Sequence, residues 1–265
     1  MRFAEPIADA TAPLARRNPT AKVVAAMLLT LCLAVSLDPV TPAVAIAVEL
    51  AVLPLFGLHY RALLRRLWPL LLTSALASAS YLFFGQKTGE TVAAFGPLTV
   101  TTGTLDSALS LFLRLVAVAL PSIAVFASTD PTDLADSLVQ NARAKPRFVI
   151  GALAAFRLLP LLANDWEMLR LARRARGVDA GRNPLANVRL FASTLFALLV
   201  IAVRRGTRLA TAMDARGFDS GRPRSAARTQ RFGPADATLI AASGMVGAVA
   251  IATSVYAGTF APLLS

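Results

Sequence analysis

The sequence predicts an all-helical membrane protein that crosses the bilayer several times. Of its 265 residues, 56% are hydrophobic and only 16% are charged, and the mean hydropathy is +0.61. Such a composition is typical of membrane proteins. The formal net charge of +12 would suggest nucleic acid binding in a soluble protein, but in a membrane protein it indicates which face of the bilayer carries the basic loops. We therefore expect the lipid bilayer as a partner and no nucleic acid.

Five apolar runs are candidates for spanning helices, since about 20 residues cross the hydrocarbon core. They cover residues 23–37, 42–58, 67–84, 105–127 and 235–257. The first two runs are short. Leu37-Asp38-Pro39 lies between them, and because proline cannot continue a helix, this turn predicts a helical hairpin.

The basic residues predict the orientation of these spans. One face carries Arg2, Arg16, Arg17 and Lys22 before the first span and Arg61, Arg65 and Arg66 before the third. The segments on the other face, 37–41 and 85–104, hold Lys87 as their positive charge. By the positive-inside rule the N-terminal lead-in and the segment between the fourth and fifth spans are cytoplasmic, and the C-terminus lies outside.

Two shorter apolar runs, 148–163 and 190–203, fall within this cytoplasmic segment. Runs of this length are more typical of interfacial or core helices than of spans. If both crossed the bilayer, the arginines between them would face outside, against the charge rule. We therefore expect both runs to stay on the cytoplasmic side, partly embedded. This divides the chain into residues 1–127, a coupling region at 128–234, and a last span with its tail at 235–265.

The coupling region reads as helices throughout. A short helix is predicted over 132–141, a long one over 146–176 with a possible kink at Pro160, and another over 184–216, and the region shows no strand pattern. The two long helices each end on the same tripeptide, Ala175-Arg176-Gly177 and Ala215-Arg216-Gly217. A glycine at that position is typical of a helix stop in the left-handed conformation.

Catalytic chemistry is not apparent in the sequence. The single histidine, His59, has no partner cluster, one cysteine, Cys32, cannot form a disulfide within the chain, and no Walker-type phosphate loop occurs. Asp130, Asp133 and Asp136 could hold a divalent metal but are also the acidic residues that a helix start favours. We predict a non-enzyme with no metal site and no cofactor of its own.

Two charged residues, Glu49 and Arg114, fall inside predicted spans. A charge within the membrane is costly when unpaired and indicates a structural or functional role. Because both lie mid-span, we expect them to pair across the second and fourth spans, to contact another membrane protein, or to mark an ion path.

Three stretches resemble the transmembrane T component of energy-coupling factor (ECF) transporters. FRLLPLLANDWEMLRLARRARG, at 156–177, resembles the first motif helix of that family, and RRGTRLATAMDARGF, at 204–218, resembles the second. NPTAK, at 18–22, is similar to its N-terminal pattern. Arg157 and Pro160, which interrupt an otherwise amphipathic helix, also fit the family pattern.

The resemblance implies a subunit of a prokaryotic importer for a vitamin or a transition-metal ion. Its partners would be two cytoplasmic ABC-type ATPases, which hydrolyse the ATP, and a small substrate-binding membrane subunit. The two tripeptides would each occupy a groove on one ATPase. Independently of the resemblance, an arginine at such a helix end offers a planar fork of donors to carboxylates or carbonyls.

Three other functions stay open on the sequence alone. The first is a permease of another ABC importer class, although its usual EAA loop is not visible. The second is a membrane enzyme acting on lipid or isoprenoid substrates through Asp130, Asp133 and Asp136. The third is an autonomous ion-coupled carrier using Glu49 and Arg114.

Overall fold

The structure is a computed structural model, and it describes residues 13–56, 60–85, 87–95, 98–178, 181, 183–218, 220 and 226–260. The chain divides into two compact units. The first unit combines Met1–Ala142 with Gln230–Ser265, and the second is Arg143–Thr229. The predicted coupling region, 128–234, is therefore wider than the second unit.

Helices account for most of the described chain. The helices are α1 (Pro19–Ala34), α2 (Val40–Val52), α3 (Tyr60–Phe84), α4 (Thr102–Ser128), α5 (Pro131–Gln140), α6 (Pro146–Ala175), α7 (Pro184–Ala215) and α8 (Pro234–Tyr256), and a 3₁₀ turn, Leu53–Phe56, follows α2. The second unit contains α6 and α7. This confirms the predicted class, an all-helical multi-pass membrane protein.

Five helices of the described chain are long and apolar enough to cross a membrane, but they are not the five that the sequence predicted. Helices α3, α4 and α8 match predicted spans, whereas α1 and α2 have only 16 and 13 residues. Helices α6 and α7, with 30 and 32 residues, meet the length and composition of a span. They are longer than their apolar runs because each helix continues through the basic residues on its flanks. Their predicted cytoplasmic placement remains a prediction.

A small β-hairpin, which the sequence did not predict, precedes α4. Strand β1 (Thr91–Phe95) pairs antiparallel with β2 (Leu98–Thr101). Both strands contain β-branched valine and threonine, which favour extended backbone. The Thr101 hydroxyl then accepts from the backbone N–H of Thr104 and starts α4.

The core of the first unit is built on α4. Four of its buried residues pack with α3 and the 3₁₀ turn, and Ala117, on the edge of the same face, packs with α1 and α2. The two clusters consist of Leu14, Leu53, Leu63, Leu67, Val116, Leu120, Ala124 and Ala127, and of Leu29, Leu33, Ala45 and Ala117. Small residues recur in the second cluster and allow the helix axes to approach closely.

Helices α1 and α8 pack closely against each other at Gly247. A Cβ atom placed on Gly247 would lie 2.6 Å from the Cβ and 2.7 Å from the Sγ of Cys32. One turn earlier, the Ser243 hydroxyl donates to the carbonyl of Ala25. The absence of a side chain at Gly247 therefore sets how closely α8 packs on α1.

A polar cluster with Asn18, Ser137 and Asp236 buried at its centre, the Asn18 cluster, joins the start of α1 to α5 and α8. It consists of Asn18, Thr20, Ser137, Arg231 and Asp236. The Ser137 hydroxyl donates to the Asn18 side-chain oxygen at 2.6 Å, and the Asn18 backbone N–H donates to Asp236 at 2.9 Å. The Asn18 amide donates to the Arg231 carbonyl at 3.4 Å, and its oxygen accepts from the Thr20 N–H at 3.0 Å to cap α1.

Lys22, one turn into α1, is also buried, with 2% of its surface exposed. Its ammonium group donates to the Ser128 carbonyl at 2.8 Å and lies 3.4 Å from the hydroxyls of Ser128 and Thr129. Lys22 therefore satisfies the last carbonyl of α4, where a positive charge is favoured by the helix dipole.

We predict that Gly247→Ala destabilises the protein, because the added methyl group has no room beside Cys32. Overpacking of this kind costs about 1–3 kcal/mol. The measurement is the thermal unfolding midpoint of the purified protein in detergent. Gly151→Ala in α6 is the matched control, since a Cβ there meets nothing within 4 Å. Equal midpoints for the two variants would contradict the packing argument.

Candidate functional site

The first candidate residues, Ala175, Arg176 and Gly177, end α6 in a Schellman motif. The N–H of Val178 donates to the Arg173 carbonyl at 3.0 Å, and that of Gly177 to the Arg174 carbonyl at 2.9 Å. Gly177 has φ +73°, a left-handed conformation that glycine adopts without steric cost.

The second tripeptide, Ala215-Arg216-Gly217, ends α7 in the same geometry. Phe218 donates to the Met213 carbonyl at 3.1 Å, Gly217 donates to the Asp214 carbonyl at 2.9 Å, and Gly217 also has φ +73°. The backbone of Arg216, at φ −88° and ψ 7°, nearly repeats that of Arg176, at φ −89° and ψ 10°. The two sequence copies are therefore two copies of one local structure.

Both tripeptides are exposed to solvent in the chain alone. The arginine sits at the last, half-helical position, and the glycine after it carries no side chain that would block approach. A guanidinium there presents up to five N–H donors to a carboxylate or to backbone carbonyls. Each helix end can therefore offer these donors to acceptors on another molecule.

The contacts between α6 and α7 place the two tripeptides far apart. Arg173, just before the first tripeptide, contacts Leu190–Thr194 near the start of α7. From Thr194, α7 continues for 22 residues to Arg216, which is about 33 Å at 1.5 Å per residue. The two helix ends therefore lie too far apart to contribute to one small pocket.

Arg173 connects the first helix end to α7, which the sequence did not indicate. Its Nη1 atom lies 3.1 Å from the Leu190 carbonyl and 2.6 Å from the hydroxyls of Ser193 and Thr194. The contact fixes the last turn of α6 against α7. The sequence offered one signal, the polar pair Ser193-Thr194 within an apolar run.

An ion pair and an aromatic contact also join α6 to α7. Arg205 forms a two-point contact with Asp165, at 3.0 Å and 2.8 Å. The ring of Trp166 packs edge-on against Phe191, with centroids 5.3 Å apart. The available signal was Asp165 itself, one of two acidic residues in a helix with several arginines. The hydrogen bond from Nη2 of Arg205 to Oδ1 of Asp165, with the ion-pair contact beside it, holds α6 against α7 at this point.

Arg157 and Pro160 lie in the middle of α6, and both are exposed. The helix continues through Pro160. Because proline has no N–H, the carbonyl of Phe156 lacks its usual helical partner, and this point of α6 is locally weaker. The roles that the resemblance implies for Arg157 and Pro160 remain predictions.

The expected pairing of Glu49 with Arg114 was wrong. Arg114 donates from Nη2 to the carbonyl of Ser36 in the turn before α2, whereas both carboxylate oxygens of Glu49 are buried and accept no hydrogen bond from the described residues. Glu49 lies nine residues beyond Val40, the start of α2, which is about 13 Å along the helix. The two side chains are therefore at different depths.

Glu49 lines a cavity of about 190 Å³ bounded by α1, α2, α4 and α8. Its other walls are almost entirely apolar, and the ammonium group of Lys22 at its edge is bonded to Ser128. A buried carboxyl without a hydrogen-bond donor reduces the stability of the folded chain.

The acidic group proposed as a possible metal site has a structural explanation at Asp130. Its carboxylate accepts from the N–H of Thr132 at 2.7 Å and caps α5. No group of three or more His, Cys, Asp or Glu that could hold a metal ion occurs within the described ranges. His59 lies outside them.

A known protein family matches most of the chain. The family model described as "Cobalt transport protein" (CbiQ) matches residues 10–226, which include Asn18, Glu49, Arg114 and both tripeptides.

Several relatives are named as transmembrane proteins of energy-coupling factor transporters. The "Energy-coupling factor transporter transmembrane protein EcfT 1" of Listeria monocytogenes is 27% identical over 78% of this chain and 79% of its own length. The protein named EcfT of Thermosediminibacter oceani is 28% identical over 74% and 77%. The one of Limosilactobacillus fermentum is 26% identical over 80% and 82%.

We predict that Glu49→Leu raises the thermal unfolding midpoint of the purified chain. The change fills similar volume and removes the unsatisfied carboxyl, which costs about 1–3 kcal/mol by mutational measures. Lys22→Met is the matched control, and it should lower the midpoint because the Lys22 ammonium is hydrogen bonded. A less stable Glu49→Leu variant would show that this carboxyl has a stabilising partner.

Proposed function

This chain belongs to the CbiQ family of cobalt transport proteins, the T components of ECF transporters, and on that basis we propose that it couples ATP hydrolysis to import. In this proposal, two cytoplasmic ABC-type ATPases bind the two helix ends, and a small substrate-binding subunit lies beside the chain in the membrane. As a transporter subunit, the chain itself is not an enzyme.

The observation that carries the proposal is the pair of equal, exposed helix ends on α6 and α7. Their backbones match within a few degrees, yet about 33 Å of α7 separates them. Two similar partners at a fixed spacing, such as the two ATPases of an ABC transporter, fit this arrangement. A single coupling loop, as in another class of ABC permease, leaves the second end unexplained.

Each arginine would provide the main polar anchor of its interface. Gly177 and Gly217 allow the helix end to approach the groove wall, and Arg176 and Arg216 meet acceptors there. A guanidinium that loses its water on binding and gains two or more charge-assisted bonds is a typical interface hot spot. Closure of the ATPases would then move the two ends relative to each other.

The α6–α7 contacts support transmission of that movement. Arg173 fixes the first end to α7, and the Asp165–Arg205 pair holds the two helices further along. A force on either end is therefore shared by both helices. The apolar faces of α6 and α7 would pass the motion to the substrate-binding subunit.

Membership of the family supports a proposal for the class of substrate but not for one particular substrate. The family description names cobalt, and the names of the relatives give no substrate. We propose a vitamin or a transition-metal ion, imported into a prokaryotic cell, with the N-terminus and the second unit on the cytoplasmic side.

We predict that Arg176→Glu and Arg216→Glu each weaken binding of the ATPases and that the double variant abolishes it. Truncating a desolvated arginine costs about 2 kcal/mol or more, or about thirtyfold in affinity, and a reversed charge costs more. The measurement is recovery of ABC-type ATPases from the source organism, co-expressed with the tagged chain, after purification in detergent.

The controls are Arg170→Glu and Arg208→Glu, which make the same charge change at exposed positions on the same two helices. They should leave recovery close to that of the wild type, since neither residue belongs to a helix end. Full recovery with the double variant Arg176→Glu/Arg216→Glu would overturn the proposed role of the tripeptides.

A further inference from the structure

We propose that Asn18 and Ser137 are positioning residues for coupling: they clamp together the two points at which the second unit joins the first. The inference rests on the proposed function, because it concerns how movement of α6 and α7 reaches the membrane helices. It gives a role to the NPTAK segment at 18–22, which the proposed binding of ATPases to the two helix ends does not explain.

The Asn18 cluster lies where the chain leaves the first unit and returns to it. The chain leaves after α5, six residues beyond Ser137, and it returns at Gln230, one residue before Arg231. Both flanks are bonded to Asn18, through the Ser137 hydroxyl and the Arg231 carbonyl. The two flanks also bond directly, since the Gln230 N–H donates to the Gln140 side chain at 2.9 Å.

The return flank is held further by Asp236 at the start of α8. Its two oxygens accept from the N–H groups of Asn18 and Gly233, at 2.9 Å and 2.8 Å. On the other flank, Asn141 donates to the Ser137 hydroxyl at 3.2 Å. The last residues of α5 and the first of α8 therefore share one hydrogen-bonded network with the start of α1.

Burial makes this network stiff. Ser137 is fully buried, and Asn18 and Asp236 are 4% and 6% exposed. Water cannot easily replace a lost bond there, so each broken bond leaves an unsatisfied polar group and is costly. A pull on either flank would move α1, α5 and α8 together instead of separating them.

Asn183 shows that helix capping alone does not explain Asn18. Both asparagines precede a proline and cap a helix, α7 in the case of Asn183, whose oxygen accepts from Leu185 and Ala186 within that helix. Asn183 is exposed, whereas Asn18 is buried and bonds to residues 119 and 213 positions away. The long-range bonds distinguish the clamp from an ordinary cap.

The test uses spin labels at Ala142→Cys and Ala237→Cys, exposed positions on the two flanks, in a Cys32→Ser background. Pulsed electron paramagnetic resonance measures their distance in the chain bound to its ATPases, with and without a non-hydrolysable ATP analogue. In the wild type we expect one narrow distribution that nucleotide does not shift.

Two variants test the clamp. Ser137→Ala removes the hydrogen bond between α5 and Asn18 and leaves the cap of α1 intact, so its effect is the easier to interpret. Asn18→Ala removes both the hydrogen bond and the cap. Both should broaden the distribution and make its mean change with nucleotide, while ATPase recovery stays at the wild-type level. Asn183→Ala removes the cap of α7 and leaves the Asn18 cluster intact, so it should behave like the wild type.

A narrow distribution of label-to-label distances that nucleotide does not shift, in both Ser137→Ala and Asn18→Ala, would show that these residues do not clamp the flanks. Should Asn18→Ala fail to fold, Ser137→Ala decides the question alone. Failure of the proposed function is seen separately, as a wild-type chain that recovers no ATPase, and in that case the labelled chain without partners still reports whether the Asn18 cluster holds the flanks.

Discussion

Asn18 holds together three parts of the chain that lie far apart in sequence, and the arrangement of the first unit depends on it. Its side chain and backbone bind α5 and the segment leading into α8, while it also caps α1. Lys22, one turn later, ties α1 to the end of α4. Because Asn18, Lys22, Ser137 and Asp236 are buried, α1, α4, α5 and α8 cannot shift independently without leaving polar atoms unsatisfied. The apolar contacts between the same helices have no comparable directionality.

The second unit buries few side chains, so its apolar surface must be covered by lipid or by other proteins. Within its described residues, α6 has no buried side chain and α7 has one, Thr194. Large apolar side chains such as Phe148, Leu185 and Phe196 remain 72%, 81% and 68% exposed. An isolated helix pair with so little burial gains little from the hydrophobic effect. Lipid or partner proteins must cover these faces, which agrees with a unit that works only within a complex.

The sequence predicted the local features of the site well and its long-range features poorly. The helix stops at Gly177 and Gly217 could be predicted because a left-handed glycine after a basic helix depends on neighbouring residues alone. The pairing of Glu49 with Arg114 failed because depth within a helical bundle depends on where each helix starts. The bonds from Asn18 to Ser137 and Asp236 join residues 119 and 218 positions apart, and no pattern in the sequence specifies such a contact.

The two helix ends have the same backbone conformation but differ in the charge of the residues beside them. This difference limits how similar the two binding grooves on the proposed ATPases can be. The first end follows Arg173 and Arg174, whereas Asp214 lies directly before Ala215 at the second. An acidic groove would attract the first end strongly, but it would meet the Asp214 carboxylate at the second, where like charges repel. If the proposed ATPases are two different proteins, this difference favours one orientation of the pair. If they are two copies of one protein, the groove must rely on the shared arginine and glycine, and the flanking charges then belong to its rim, where solvent weakens them.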